Sequence, residues 1–222
     1  MRVLITAGGT EEPLDGVRRL TNTSTGATGL ALATAFAEGG TEVVLLHAGR
    51  IDVNELPFET IPFLTFDDLA TALQELLDER EFDAVIHLAA VSDYRLASVE
   101  ADGRTVDVTG RGKIGSGHEL LLRLTPNPKL IDRLRQWSRN PNLVVVGFKL
   151  TDDPEPAARK ARVAALLERG AADLVVHNDI REIDSERHLA AIHGQAGLLA
   201  ETRNKNELAG ALYRLLADGE HS

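Results

Sequence analysis

Short apolar runs of strand length alternate with longer segments of helical period, and this rhythm constrains the chain more than any other feature. Arg2–Thr6, Glu42–Leu46, Asp83–Leu88, Leu143–Phe148 and Asp173–Val176 read as buried strands. Between them Ala27–Glu38, Phe66–Arg80, Pro128–Trp137 and Glu155–Glu168 carry helical spacing, and Lys205–Leu216 closes the chain as a helix. Strand–helix–strand alternation predicts an α/β fold. The expected form is a Rossmann-like open, mostly parallel sheet with helices on both faces. Leu189–Ile192 and Leu198–Ala200 flank Gly194 and Gly197 and predict a hairpin, a small antiparallel extension of that sheet. Glu119–Leu124 reads as one further strand.

At 222 residues the chain is long enough to remove roughly 70% of its unfolded surface from water, so a full core needs no staple. No internal repeat or low-complexity linker divides it, and residues 1–222 read as one domain. There is no cysteine, which excludes a disulfide scaffold, a thiolate metal site and a cysteine nucleophile. The net charge of -10 is spread along the chain, the wrong balance for a general nucleic-acid binder. A small anionic substrate needs only a local positive pocket. The apolar run in MRVLIT is too short for a signal-peptide core, and no stretch reaches the ~18 apolar residues of a membrane helix. These features place the chain in the cytoplasm, away from membrane and nucleic acid.

Two segments imitate a nicotinamide-dependent reductase of the short-chain type. Thr25-Gly26-Ala27-Thr28-Gly29 resembles its glycine turn, and Asp83–Ala90 its fourth strand. In a dinucleotide fold, however, the glycines follow the first strand directly, and an acid closes the second. Here Ala7 to Ser24 intervene, and the second strand ends Leu46-His47-Ala48-Gly49-Arg50. Neither Tyr94 nor Tyr213 has a lysine four residues on. The reductase stays as an alternative, along with a nucleotide-binding sensor that lacks turnover. The seven histidines form no metal pattern.

The same segment, Gly8 to Gly29, carries the chemistry. Long loops at the carboxyl ends of parallel strands are where open sheets bind ligands. Its last part sets hydroxyls and glycines at the start of a helix, whose N–H groups favour a phosphate or carboxylate. Residues 95–118, polar and glycine-rich, read as a mobile excursion.

The run GGTEEPLDGVRRLTNTSTGATG resembles the opening signature of the phosphopantothenate–cysteine ligases. Further pieces follow in that family's order: Ala89-Ala90-Val91-Ser92-Asp93-Tyr94, Lys113-Ile114, Thr125-Pro126-Asn127-Pro128-Lys129-Leu130, Val146-Gly147-Phe148-Lys149-Leu150-Thr151 and His177-Asn178-Asp179-Ile180. The Phe-Lys-Leu form and the Lys-Ile-Gly-Ser flap look most like the stand-alone ligases of streptococci and eukaryotes. The flap of the bifunctional bacterial type reads Lys-x-Lys-Lys. Here Gly115 and Ser116 hold the later positions, so only Lys113 carries over.

The resemblance implies activation of the 4′-phosphopantothenate carboxylate by CTP or ATP, followed by capture of the acyl-nucleotide by cysteine. Such chemistry rests on positioning, charge neutralisation and exclusion of water. It implies that Asn22 hydrogen-bonds the acyl-nucleotide, with Lys113 closing on the triphosphate as the second catalytic residue. Gly9, Arg18, Ser24, Thr25 and Gly26 would surround phosphopantothenate. Ala89, Asp93, Asn127, Pro128, Lys129, Leu130 and Phe148 would hold the nucleotide. Asn178 and Asp179 would shape the same rim. Lys160, Arg162 and Arg169 are the candidates for triphosphate contacts on the preceding helix, slightly out of the family's register. Magnesium would arrive with the triphosphate, with no protein ligand named, and a homodimer is implied. No residue pattern separates cytosine from adenine.

Overall fold

The computed structural model describes residues 1–106, 113–117, 119–182 and 188–219. Its frame is an eight-stranded sheet formed by β1 (Arg2–Ala7), β4 (Glu42–Ala48), β5 (Glu59–Phe63), β6 (Ala84–His87), β10 (Val144–Thr151), β11 (Leu174–Asp179), β12 (Ala190–Gly194) and β13 (Gly197–Thr202). The order across the sheet is β13-β12-β11-β10-β6-β1-β4-β5. Every pair from β5 to β11 is parallel, and β12 and β13 add antiparallel, as the expected extension. Two small sheets stand apart: a hairpin of β2 (Glu11–Pro13) and β3 (Arg19–Thr21), and a three-stranded sheet of β7 (Tyr94–Ala101), β8 (Arg104–Val106) and β9 (Leu120–Pro126).

Helices cover both faces because β1 buries apolar side chains to either side, Val3, Leu4, Ile5 and Ala7. Val3 and Ile5 join a core with Leu32 and Phe36 of α1 (Ala27–Glu38) and Leu208 and Leu212 of α5 (Lys205–Asp218). Leu4 faces the other way, into Leu69, Leu73 and Leu77 of α2 (Phe66–Glu79), Leu134 of α3 (Leu134–Trp137) and Val163 of α4 (Pro156–Glu168). Each fully buried leucine contributes roughly 1.5–3 kcal/mol. Helix α2 begins at a capping box, in which Thr65 Oγ1 accepts from Asp68 N (3.1 Å) and Asp68 Oδ2 accepts from Thr65 N (2.8 Å).

Three expectations are corrected. The first part of the segment read as a mobile excursion is strand: β7 and β8 put Val99 into a small core with Leu14 and Ile114. Alternating polar residues on the other face hid this pattern; residues 107–112 and 118 lie outside the described residues. Pro128–Trp137 is not one helix but a 3-10 turn at Leu130–Asp132 followed by the single turn of α3. Strand β5 escaped notice because Pro62 interrupts it. Proline is tolerated at a sheet edge, where β5 lies.

Candidate active site

The order of the sheet reverses at β1. The chain runs outward through β4 and β5, then returns to place β6 on the other side of β1. Ligands of open sheets bind at such switch points, beyond the carboxyl ends of the strands. Here the two strand ends are stitched together. Thr10 N donates to the Ala90 carbonyl (3.2 Å) and Ala90 N to the Gly8 carbonyl (2.8 Å). The β2–β3 hairpin then brings Asn22 back over the junction, where Nδ2 donates to the carbonyls of Ala90 (3.2 Å) and Val91 (3.1 Å). Gly9 is required by close approach, since a Cβ there would sit 2.7 Å from the Asn22 carbonyl oxygen.

A cavity of about 380 Å³ opens beside this junction, between the ends of β6 and β10 and the face of α4. Its floor is apolar or neutral, with buried His87 and Leu130 and half-buried Ala89 and Phe148. Its rim is cationic, with Lys129, Lys149, Arg162 and Arg169 among the lining residues and Asp93 as the carboxylate, paired with Lys129. Burial pushes the Lys149 ammonium below its usual range, and the neighbouring charges of Arg162 and Lys129 add to the effect. A chain of net charge -10 thus gathers positive charge at one place. Both arginines also face carboxylates, Arg162 against Asp153 (3.5 Å) and Arg169 against Asp132 (3.0 Å), so the cavity combines a paired cationic rim with a non-polar floor.

Residues 1–218 match the DNA/pantothenate metabolism flavoprotein C-terminal domain family. The chain belongs to that family. Coenzyme A biosynthesis bifunctional protein CoaBC of Thermococcus kodakarensis is 33% identical over 213 residues, covering 96% of this chain and 50% of that protein. The Escherichia coli K12 protein of the same name is 29% identical over 218 residues, with the same coverages of 96% and 50%. This chain therefore spans about half the length of the curated relatives it matches. Among solved structures, the DNA/pantothenate metabolism flavoprotein from Streptococcus pneumoniae superposes with a TM-score of 0.85 at 28% identity, covering 99% of each chain. A Cab2 mutant in complex with phosphopantothenate-cysteine shares the fold, with a TM-score of 0.74 at 19% identity over 100% of this chain and 89% of that one.

Within this family domain, Ala89, Asp93, Pro128, Lys129, Leu130 and Phe148 all line this cavity. Asn127 stands behind the wall. Its side chain is tied to the wall, with Nδ2 donating to the Ser92 carbonyl (3.0 Å) and Oδ1 accepting from Arg95 Nε (2.6 Å). Asn22 is exposed, and both its amide hydrogens go to the wall carbonyls; the polar atom it has left for a ligand is Oδ1. Gly26, at φ 71°, turns the chain into α1 with no side chain capping that helix, and Ser24 and Thr25 beside it are exposed.

Lys113 is exposed and is not among the cavity's lining residues, but the next residue is anchored. Asp15 Oδ2 accepts from Ile114 N (3.1 Å), and Arg18 Nη2 donates to the Ile114 carbonyl (3.0 Å). Asp15 Oδ1 also accepts from Val17 N (2.9 Å) and Arg18 N (2.8 Å). These backbone bonds, Val17's foremost, hold its carboxyl below the usual range. Arg18 is thus half-committed to holding the root of the segment that carries Lys113.

Asn178 and Asp179 do not reach the rim. Asp179 is wholly buried, taking Thr151 Oγ1 at 2.6 Å and Arg159 Nε at 3.4 Å, and Asn178 Nδ2 donates to the Leu189 carbonyl (2.7 Å). On α4 and at its C-terminal cap the structure separates the three candidates. Arg162 and Arg169 line the cavity, whereas Lys160 lines a different groove with Val163 and Leu167. Spacing of seven put both arginines on one stripe and was the signal that could have found them. His87 and Lys149, quoted only as members of longer runs, received no site role in the sequence, although each closes or extends an apolar strand run in which a polar residue signals a tip. Among the described residues, no group of three His, Asp or Glu side chains is placed to hold a metal ion. No helix of the described residues is long and apolar enough to cross a membrane.

Proposed function

We propose that this chain is a phosphopantothenate–cysteine ligase of coenzyme A biosynthesis, carried by one domain over residues 1–222 and acting in the cytoplasm. One observation carries the reading: Asn22 is hydrogen-bonded to the wall of a cavity whose rim holds four cationic side chains and whose floor holds Phe148. CTP or ATP enters with its base on the floor and its phosphates on Lys129, Lys149, Arg162 and Arg169, which neutralise the charge of the departing pyrophosphate. Magnesium would come with the triphosphate, and Asp93, paired with Lys129, is the carboxylate among the lining residues. Phosphopantothenate lies across the start of α1, held by Ser24, Thr25, Gly26 and the remaining donors of Arg18. Its carboxylate then meets the α-phosphate beside Asn22, whose Oδ1 accepts from the incoming amine of cysteine. Lys113 approaches from the anchored segment and screens the activated carboxyl group from water.

The partner is a second copy of the chain. Exposed apolar side chains support this: Val17 at 66%, Leu121 at 61% and Tyr94 at 54%. Size-exclusion chromatography with light scattering reads a dimer, and a monomer at all concentrations refutes it.

The ligase reading is tested by pyrophosphate release from 4′-phosphopantothenate with CTP or ATP and magnesium, with and without cysteine. Release with either nucleotide, and amide formation on adding cysteine, is the expected result. Nucleotide binding with no release indicates a sensor, and hydride transfer from NAD(P)H a reductase; either outcome refutes the ligase.

A further inference from the structure

We propose that His87 is a specificity residue of this cavity, donating its Nε2–H to an acceptor atom on the base of the bound nucleoside triphosphate. The proposal rests on the nucleotide reading of the cavity and adds a contact that the motif comparison does not assign.

The hydrogen positions follow from the partners. Thr6 Oγ1, at the end of β1, is wholly buried and accepts from Ala89 N at 3.0 Å. A buried hydroxyl must also place its own hydrogen. The acceptor in reach is His87 Nδ1, 3.1 Å away across the β1–β6 pair. Nδ1 is therefore unprotonated, and the ring hydrogen sits on Nε2. His87 is 8% exposed and is one of the residues that line the cavity. Burial alone pushes its pKa down to about 4, so the ring is neutral throughout the working range.

The cavity sorts a nucleotide by charge. Exposed Lys129, Arg162 and Arg169 lie at the rim, where phosphates gain most, and the floor around His87, Leu130 and Phe148 is left for the base. On that floor His87 offers a donor and no acceptor. A base carbonyl or ring nitrogen satisfies it, whereas an amine facing it would leave two donors opposed and both unpaired, weakening binding about tenfold or more.

The experiment is calorimetric titration of the full-length chain and of His87→Leu and His87→Gln with CTP, ATP and inorganic tripolyphosphate. His87→Leu should bind CTP or ATP about tenfold more weakly than wild type, and His87→Gln, which keeps a neutral N–H donor, within about threefold. Tripolyphosphate, which has no base, should bind all three alike. Wild-type protein that binds neither nucleotide overturns the cavity reading and the proposal with it. Nucleotide binding that is unchanged in His87→Leu overturns the proposal alone. An equal loss for tripolyphosphate overturns the assignment to the base. Should His87→Leu fail to fold, long-range 1H–15N spectra of wild-type imidazoles provide the second measurement. An Nε2–H tautomer whose resonance moves on adding CTP or ATP supports the proposal. An Nδ1–H tautomer, or a resonance that stays put, refutes it.

Discussion

Acidification from pH 7.5 to pH 4.5 should cost the native protein about 2.5 kcal/mol more stability than it costs a His87→Gln variant. The folded pKa of His87 is about 4 because burial disfavours the charged ring. In the unfolded chain the same ring titrates near its ordinary value of about 6.5. Above that value neither state binds the proton and the group is silent. Between the two values the unfolded state binds a proton that the folded state refuses, so stability falls as pH falls through this window. Below the folded value both bind it and the loss is complete. At pH 4.5 the unfolded ring is almost fully protonated and the folded ring about one quarter so, which gives the figure of about 2.5 kcal/mol; at pH 5.5 the same arithmetic gives about 1.4 kcal/mol. The assay is urea unfolding of both proteins at four pH values. Other groups titrate too, including His177, His188 and His193, all lowered chiefly by burial, but they are present in both proteins and cancel. Stability curves that run parallel from pH 7.5 to 4.5 would refute the buried neutral ring.

Four further outcomes follow from the geometry. Gly9→Ala places a methyl group 2.7 Å from the Asn22 carbonyl oxygen and should lower kcat about 100-fold by shifting Asn22, with a smaller effect on nucleotide KM. Arg162→Ala with Arg169→Ala should raise nucleotide KM at least about tenfold, whereas Lys160→Ala, on the other stripe of α4, leaves it within about twofold. Asp15→Ala removes the acceptor of Ile114 N, so exchange of that amide, followed by mass spectrometry or NMR, should accelerate while that of Val145 in the core does not. Asn22→Ala should abolish acyl-nucleotide formation or leave the intermediate unproductive, and Lys113→Ala should mainly lower turnover. Full activity in both variants refutes the assignment of these two residues.

Much of the frame was legible in the chain. Helix α1 falls at Ala27–Glu38 as its small-residue pattern predicted, and β1 and α2 differ from their predicted bounds by a residue. These elements depend on local period and on full burial, which leave a direct mark on composition. Elements that rely on neighbours left weaker marks. Strand β5 is held by β4 despite Pro62, and β7 hides its apolar residues among charged ones that face outward. The site divides in the same way. Glycine and asparagine at strand tips are readable because backbone approach admits few alternatives there. Asn127 reads as a ligand by its motif, and in the structure its side chain also bonds Ser92 and Arg95, which lie in other segments.

The amino-acid order by itself determined that this would be a parallel α/β sheet with polar, glycine-bearing loops at its tips, because strand and helix periods are local properties of the chain. Only the tertiary structure decided which charges meet. It set Arg162 and Arg169 rather than Lys160 against the cavity, held Arg18 to the root of the Lys113 segment, and buried His87 in the floor with Nδ1 against Thr6 Oγ1. Hydrogen-bond partners more than eighty residues apart, such as Thr6 and His87, exist only once β1 and β6 lie side by side, and burial in that pair determines the charge of the ring.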